Sequence, residues 1–513
     1  MQKKSGVDVE KIAIIDLGSN SVRLVIYEIS DNGSFRLIDD ISNVIRLSAD
    51  MKDGKYINDM AIMRTLKTIK LFSKLCSSYN VPKKNIIAVA TAAVRKAENK
   101  DYFLRLLYSS TGINFKLISG DEEALYVYKA VIHTLDVDEG IIVDIGGGST
   151  EIIKFSDNNI SGLQSIPVGT IVATEQFLDK DKISSKSIKT FEQYLESTFK
   201  DLFWMKEKKT KCIIGLGGAL RNISKIHRKK TNYSVDIVHN YSMSIDDFLE
   251  IYESLKTMDL ASRKKVAGMS SKRADIIVGA FLIIKVISKL CGAKKFVTSG
   301  NGLREGLLLD YIFTHYPLKQ QKDVLCFSLE NYIDVYGVRK NHADHITTLA
   351  MCIFNDLFPL HHMGEDARKV LMVSSLLHDI GIAVEFYGHS LHSYYMIINS
   401  RLNGLTHREI VLSAIIAASH SKDKMKNEWI KEHEGLLAPE DIRLIEVLSV
   451  ILKISNCFDR SETGIIKSVE CIIDNDTVRM KTLRYTDAEL ELKLAREHEG
   501  LFNKIFNKNL III

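Results

Sequence analysis

The chain has 513 residues, 46% apolar and 26% charged, with a formal net charge of +5. These values suit a globular protein of three or four domains, and the mild basic excess suits anionic ligands without singling out nucleic acid. They exclude a low-complexity or disulfide-stapled chain: the seven cysteines form no CxxC pair and read as reduced thiols of a cytoplasmic protein.

The first eleven residues are polar, and the apolar run that follows meets Asp16, so no signal peptide is expected. Residues 12–25, IAIIDLGSNSVRLV, read as strand, Asp16, a small polar turn and a second strand. Residues 141–154, IIVDIGGGSTEIIK, repeat that plan, with Asp144 placed 128 positions after Asp16. One such unit recurring once predicts two related domains, each opening with a hairpin. After the first hairpin, residues 85–100 and 114–131 each read as a strand turning into a helix, at Thr91 and at Ser119-Gly120. After the second, CIIGLGGALRNIS (212–224) and KFVTSGNGLREGLLLDYIF (295–313) do the same, and residues 244–293 read as mainly helical. Strands alternating with helices predict an α/β architecture. Ile276–Leu290 is the most apolar long stretch, but Lys285 and Lys289 interrupt it, so no membrane span is expected. A polar, proline-containing stretch at 314–323 marks a boundary. Residues 325–460 read as helical and rich in histidine, and VECIID, VRMKTL and ELELKLA read as short β-like runs of a small terminal module. The expected domains are 1–133, 134–313, 324–462 and 463–513.

Three consecutive glycines at 146–148 have two readings: an ordinary hairpin turn, or a concavity of backbone N–H groups that binds an anion. The turns at Asp16–Asn20, Ala90–Thr91, Ser119–Glu123, Asp144–Glu151, Gly215–Gly218 and Ser299–Gly302 all lie at strand ends, where α/β folds bind ligands. Helix N-termini and glycine amides there favour phosphate. Arg23, Arg95, Arg273 and Arg304 accompany these turns, and guanidinium forks suit phosphate oxygens. Singly, each also fits a solvated helix face or a carboxylate partner. Ser119 and Glu122 have capping-box spacing, which leaves Glu123 without a capping duty. Glu123 is then either part of an acidic first turn or a carboxylate facing the cleft, able to take a proton from water.

Taken together and in this order, IDLGSNSVRL, ATAAVRKAEN, ISGDEEA, VDIGGGSTE, IPVGTI, GLGG, RAD and SGNGLREG resemble the exopolyphosphatase / guanosine pentaphosphate phosphohydrolase (Ppx/GppA) family, long form. The resemblance implies two ribonuclease-H-like domains of the actin-like, sugar-kinase-like superfamily. It implies Mg²⁺-dependent, processive hydrolysis of the terminal phosphoanhydride bonds of polyphosphate, with K⁺ stimulation. The alternatives are a guanosine pentaphosphate 5′-phosphohydrolase and a non-catalytic alarmone-sensing protein. Glu123 matches the general base, Asp144 and Glu151 the acidic positions at metal and water, and Arg95 the arginine on the terminal phosphate. Asp16, Gly18, Ser19, Asn20, Arg23, Gly146, Gly147, Gly148, Ser149, Gly217, Gly218, Arg273 and Arg304 would complete the phosphate site. A homodimer is implied, with no nucleic-acid or membrane partner.

HADH (342–345), LLHDIG (376–381), His389, His392, His420 and NCFDRSE with Asp459 resemble the HD phosphohydrolase superfamily. That resemblance implies a second divalent metal on His345, His378, Asp379 and Asp459, with His392 and His420 completing a two-metal set. Asn456 stands where the pattern has an aspartate, and the other reading is histidines that cap and pack. Lys319, Lys322, Arg401, Arg408, Lys422, Lys424 and Lys426 would form either a basic track for a long polyanion or a solvated face.

Overall fold

The computed structural model describes residues 9–47, 51–52, 55–207, 210–316, 323–421 and 427–513. Of the lysines and arginines proposed as a basic track, Lys319, Lys322, Lys422, Lys424 and Lys426 lie outside these residues. Arg408 lies on a helix and pairs with Asp441. The chain divides into two compact units, Met1–Asn232 with Val238–Val324, and Tyr233–Ile237 with Leu325–Ile513.

The first unit holds two sheets of matching design. In the first, β1 (Glu10–Leu17), β2 (Ser21–Ile29), β3 (Phe35–Val44), β4 (Ile86–Ala90) and β5 (Phe115–Leu117) lie in the order β3-β2-β1-β4-β5. The second contains β6 (Glu139–Ile145), β7 (Thr150–Ser156), β8 (Asn159–Ile166), β9 (Cys212–Leu216), β10 (Tyr241–Ser244) and β11 (Lys295–Thr298), in the order β8-β7-β6-β9-β11-β10. Each has an antiparallel three-stranded meander joined to parallel strands, with β10 added antiparallel at one edge. This is the duplication expected from the paired Asp-Gly hairpins. The outer strands β3 and β8 and the short β10 escaped the sequence reading. β3 is mostly exposed, so no apolar run announces it.

The central strands are continuously apolar because both faces are covered. Along β1, Ala13, Ile15 and Leu17 enter one core with helices Asp59–Ser78 and Lys100–Thr111. Ile12 and Ile14 enter another with Leu307, Leu308 and Ile312 of helix Leu303–His315. That helix belongs by sequence to the second half. Reciprocally, Ala124, Val127 and Val131 of helix Gly120–Ile132, from the first half, pack on Ile142, Ile153 and Ile214 of the second sheet. The expected boundary at 133/134 therefore does not separate two cores. The halves exchange a helix each, and the two helices cross so closely that a Cβ on Gly306 would lie 2.0 Å from the Tyr126 carbonyl oxygen.

The second unit is helical, with a three-stranded sheet of Ile466–Ile473, Thr477–Arg484 and Asn509–Ile512. The boundary expected at 462/463 does not divide its core: Val469, Met480 and Phe502 join Ile346, Leu412 and Ile451 in one cluster. ELELKLA, read as β-like, is part of the helix Glu489–Arg496, which buries Glu491, Leu492 and Ala495. Its short alternation of charge and leucine fits a strand period and a helix face alike. No helix among the described residues is long and apolar enough to cross a membrane.

Candidate active site

The two hairpin turns are built alike. The Gly18 N–H donates to the Ser21 carbonyl at 3.1 Å, and the Gly146 N–H to the Ser149 carbonyl at 3.0 Å. On the strands behind them Asp16 stands opposite Arg23, and Asp144 opposite Glu151. The turns meet tip to tip: a Cβ on Gly148 would lie 2.9 Å from Ser19 Oγ, and one on Gly147 would lie 3.5 Å from Ser19 Cβ. A side chain at Gly148 would require Ser19 to shift, and one at Gly147 would press on Ile171 Cδ1 at 3.0 Å, so glycine lets the turns approach this closely. Helix Gly218–Lys230 starts beside them from Gly217, at φ +99°, where a Cβ would lie 2.3 Å from the Ile145 carbonyl oxygen.

Together these turns enclose a cleft of about 160 Å³. Asp16, Gly18, Ser19, Asn20, Arg23, Glu123, Asp144, Gly146, Gly147, Gly148, Ser149, Gly217, Gly218, Arg273 and Arg304 all line it. Glu151 and Arg95 stand behind the wall. Glu151 is 1% exposed and accepts a hydrogen bond from Ser165 Oγ at 2.9 Å. Arg95 donates from Nη1 to the Ile118 carbonyl at 2.7 Å and reaches Glu123 Oε2 at 3.3 Å. The capping box at Ser119 and Glu122 forms in both directions, at 3.0 and 2.9 Å, so Glu122 is engaged at the helix end. Arg304 lines the cleft while pairing with Asp40 at 3.1 Å. Sequence reasoning missed Arg221, which lines the cleft and donates to the Gly300 carbonyl at 2.9 Å. The signal was present: Arg221 lies in the first turn of the helix that the GLGG run opens.

The carboxylates are buried and close enough to act on one another. Burial pushes Asp144 up to about 6, with nearby Asp16 adding to the effect and Arg221 opposing it. Burial and then Asp144 push Glu151 up to about 7, against hydrogen bonds from Ser149 and Ser165. Glu123 is raised by burial and by Glu151, and Arg95 opposes this. Asp16 is raised by burial against Arg304 and Arg23. Such a set favours a cation among its members. Yet among the described residues the clusters of three or more potential metal ligands all lie elsewhere. A site offering one or two carboxylates and room for waters suits Mg²⁺ better than an ion that needs a full protein cage.

A second cleft, of about 790 Å³, shares Asn20, Ser21, Arg23 and Arg273 with the first. It adds Arg46, Lys180, Lys264 and Lys272, with Glu175 and Asp275 as its acids and, among the described residues, no aromatic side chain in its lining.

In the second unit, His378 and Asp379 belong to clusters of potential metal ligands, one with His342 and the other joining Asp379 to His389 and His420. His345 and Asp459 belong to neither. His345 Nε2 is bonded to the Ile466 carbonyl at 2.9 Å, and Asp459 Oδ2 takes His342 Nδ1 at 2.7 Å. The first histidine of HADH, not the second, therefore faces His378. His392, on helix His389–Ile398, is also outside both clusters.

The family model "Ppx/GppA phosphatase family" matches residues 25–315, and that of "Ppx/GppA phosphatase, domain III" matches 327–499. The bifunctional 3-dehydroquinate synthase/phosphatase of Fusobacterium nucleatum is 32% identical over 320 residues, 58% of this chain and 46% of that protein. The chain thus spans less than half the length of that relative. The guanosine-5′-triphosphate,3′-diphosphate pyrophosphatase of Pseudoalteromonas translucida is 25% identical over 452 residues, 86% of each chain. Among solved structures, the Aquifex aeolicus member of the Ppx/GppA family is 26% identical with a TM-score of 0.53, covering 60% of this chain and 98% of that one.

Proposed function

Because the chain belongs to the Ppx/GppA phosphatase family, we propose that it is an exopolyphosphatase that removes orthophosphate from the ends of polyphosphate. One observation carries this reading: two glycine turns from duplicated sheets meet tip to tip, with Asp16, Asp144 and Glu123 converging on the same cleft. The turns and Arg221 receive the terminal phosphate. Glu123 takes the proton of the attacking water, oriented by Arg95. Water oxygen bonds to the terminal phosphorus, the bridging P–O bond breaks, and the shortened chain leaves with the electron pair. Asp144 would hold Mg²⁺, with the buried carboxylate of Glu151 behind it adding negative charge, and the ion when bound would neutralise charge on the phosphates.

The choice of polyphosphate rests on the second cleft. Arg23 and Arg273 lead from the reacting end into a basic trough. A row of cations suits a repeating anion, whereas a guanine base gains most from stacking on an aromatic face, and the apolar lining here, Val44, Ile171, Leu260 and Ile276, is aliphatic. A second reading, guanosine pentaphosphate 5′-phosphohydrolysis, is favoured by the relative that aligns over 86% of both chains. Orthophosphate release from long-chain polyphosphate with Mg²⁺ tests the first, with Glu123→Ala as control. Full activity in the variant refutes the assigned base. Competition between equal concentrations of the two substrates separates the readings, and preferential turnover of the nucleotide would overturn the choice of polyphosphate.

A further inference from the structure

In the second unit several imidazoles turn the same edge toward one carboxylate. The Nδ1 atoms of His378, His389 and His420 are bonded to the carbonyl oxygens of Ser375, Phe386 and Ala417 at 2.8, 2.8 and 2.5 Å. A carbonyl only accepts, so each Nδ1 carries the hydrogen and each neutral ring presents a lone pair at Nε2. Those three Nε2 atoms lie 3.5, 3.4 and 3.5 Å from Asp379 Oδ1. The Nε2 atoms of His389 and His420 are 2.9 Å apart. His378 is fully buried, and its Nε2 has no hydrogen-bond partner. Asp379 is held from its other oxygen by Arg339, which also pairs with Glu462.

Lone pairs brought this close to a carboxylate and to one another repel unless a proton or a metal ion lies among them, and three imidazole edges aimed at one carboxylate oxygen match a metal's donor set. Imidazole donors to metals usually give their second N–H to a carbonyl or carboxylate, which fixes tautomer and orientation. With metal–ligand bonds of about 2.1 Å, neighbouring donor atoms stand roughly 3.0–3.4 Å apart, close to the spacings found here. We propose that Asp379, His389 and His420 bind a divalent transition-metal ion. The HD resemblance implies His345, His378, Asp379 and Asp459, with His392 and His420 for a second metal; the site proposed here keeps Asp379 and His420 and has His389 in place of His392. His345 is committed to the Ile466 carbonyl, and both Asp459 oxygens are taken, by His342 and by the Gly464 N–H. Imidazole donors with one carboxylate select manganese, iron, cobalt, nickel or zinc over magnesium. His389, 23% exposed, leaves a side open for entry and for a water ligand.

The test uses the full-length chain stripped by chelation and titrated with Co²⁺, read by visible absorption and calorimetry. One tight equivalent is expected, with absorption bands of nitrogen-ligated cobalt, undisturbed by millimolar Mg²⁺. Asp379→Asn and His389→Ala should each weaken it by about 10- to 100-fold. Glu151→Gln, which alters the cleft of the first unit, should leave it unchanged. Sub-stoichiometric binding, oxygen-only bands, wild-type affinity in His389→Ala, or loss in Glu151→Gln would each overturn the proposal. If a histidine variant fails to fold, the stoichiometry and spectrum of the unmutated chain still decide.

Discussion

Asp144 faces Glu151 across its hairpin, on the rung where Asp16 of the other hairpin faces Arg23. At this position the duplicated scaffold has diverged, backing Asp144 with a second, buried carboxylate in one hairpin and pairing Asp16 with an arginine in the other. In the proposed mechanism the side of Asp144 would take the metal ion and Arg23 the substrate. Asp144→Asn should lower kcat by about 100-fold or more with Mg²⁺ present, while Arg23→Ala should mainly raise KM. Steady-state kinetics on polyphosphate check this. Equal losses in both parameters for both variants would contradict the division.

Arg95 tunes Glu123 as well as holding it. Burial and Glu151 raise the Glu123 carboxyl, and Arg95 pulls it down. A general base works only when deprotonated, so activity rises with pH through its pKa. Removing the guanidinium in Arg95→Ala should move the ascending limb of the kcat/KM profile toward higher pH, by about one unit. An unmoved limb with reduced activity throughout would limit Arg95 to a structural role.

The cleft is a stability cost at neutral pH. Glu151 titrates near 7 in the fold and Asp144 near 6, against ordinary values of 4.5 and 3.8. The folded state therefore binds more protons between about pH 4 and 7, and their contribution to stability declines as pH rises through that window. In metal-free protein, Glu151→Gln should be more stable than wild type at pH 8, by about 1 kcal/mol or more, and not at about pH 4.5. Thermal melts at the two pH values read the difference, and a variant less stable at pH 8 would refute it.

Gly217 and Gly337 both have positive φ, at +99° and +64°, but only Gly217 is crowded. A Cβ at Gly337 would meet nothing within 4 Å. Gly337→Ala should cost about 1 kcal/mol, from the left-handed conformation alone. Gly217→Ala should cost more, and should also abolish phosphate release by moving the helix start away from Ile145. Denaturant midpoints of both variants measure the contrast.

The basic trough makes chain-length dependence a test of substrate. Lys264→Ala with Lys272→Ala should raise KM for long polyphosphate several-fold and leave short polyphosphate almost untouched. The effect should shrink at high salt, where the lysines are screened. Assays across chain lengths at two ionic strengths check it. Equal effects on all lengths would remove the trough from the substrate path.

Local order was legible because it is written in near neighbours. The apolar runs ending at Asp16 and Asp144, the glycine turns, and the capping box at Ser119 all depend on contacts a few residues apart. Their chemistry follows from residue type and spacing, so most of the cleft's lining was predictable. What the sequence could not show was which surfaces would meet. Helices Gly120–Ile132 and Leu303–His315 are apolar along one face in either core, and only complementary packing sends each to the opposite sheet. That exchange carries Glu123 to the cleft beside Asp144. The same limit applied in the second unit. Periodicity placed His342 and His345 on one helix, and the choice between them fell to partners more than a hundred residues away, Asp459 and the Ile466 carbonyl.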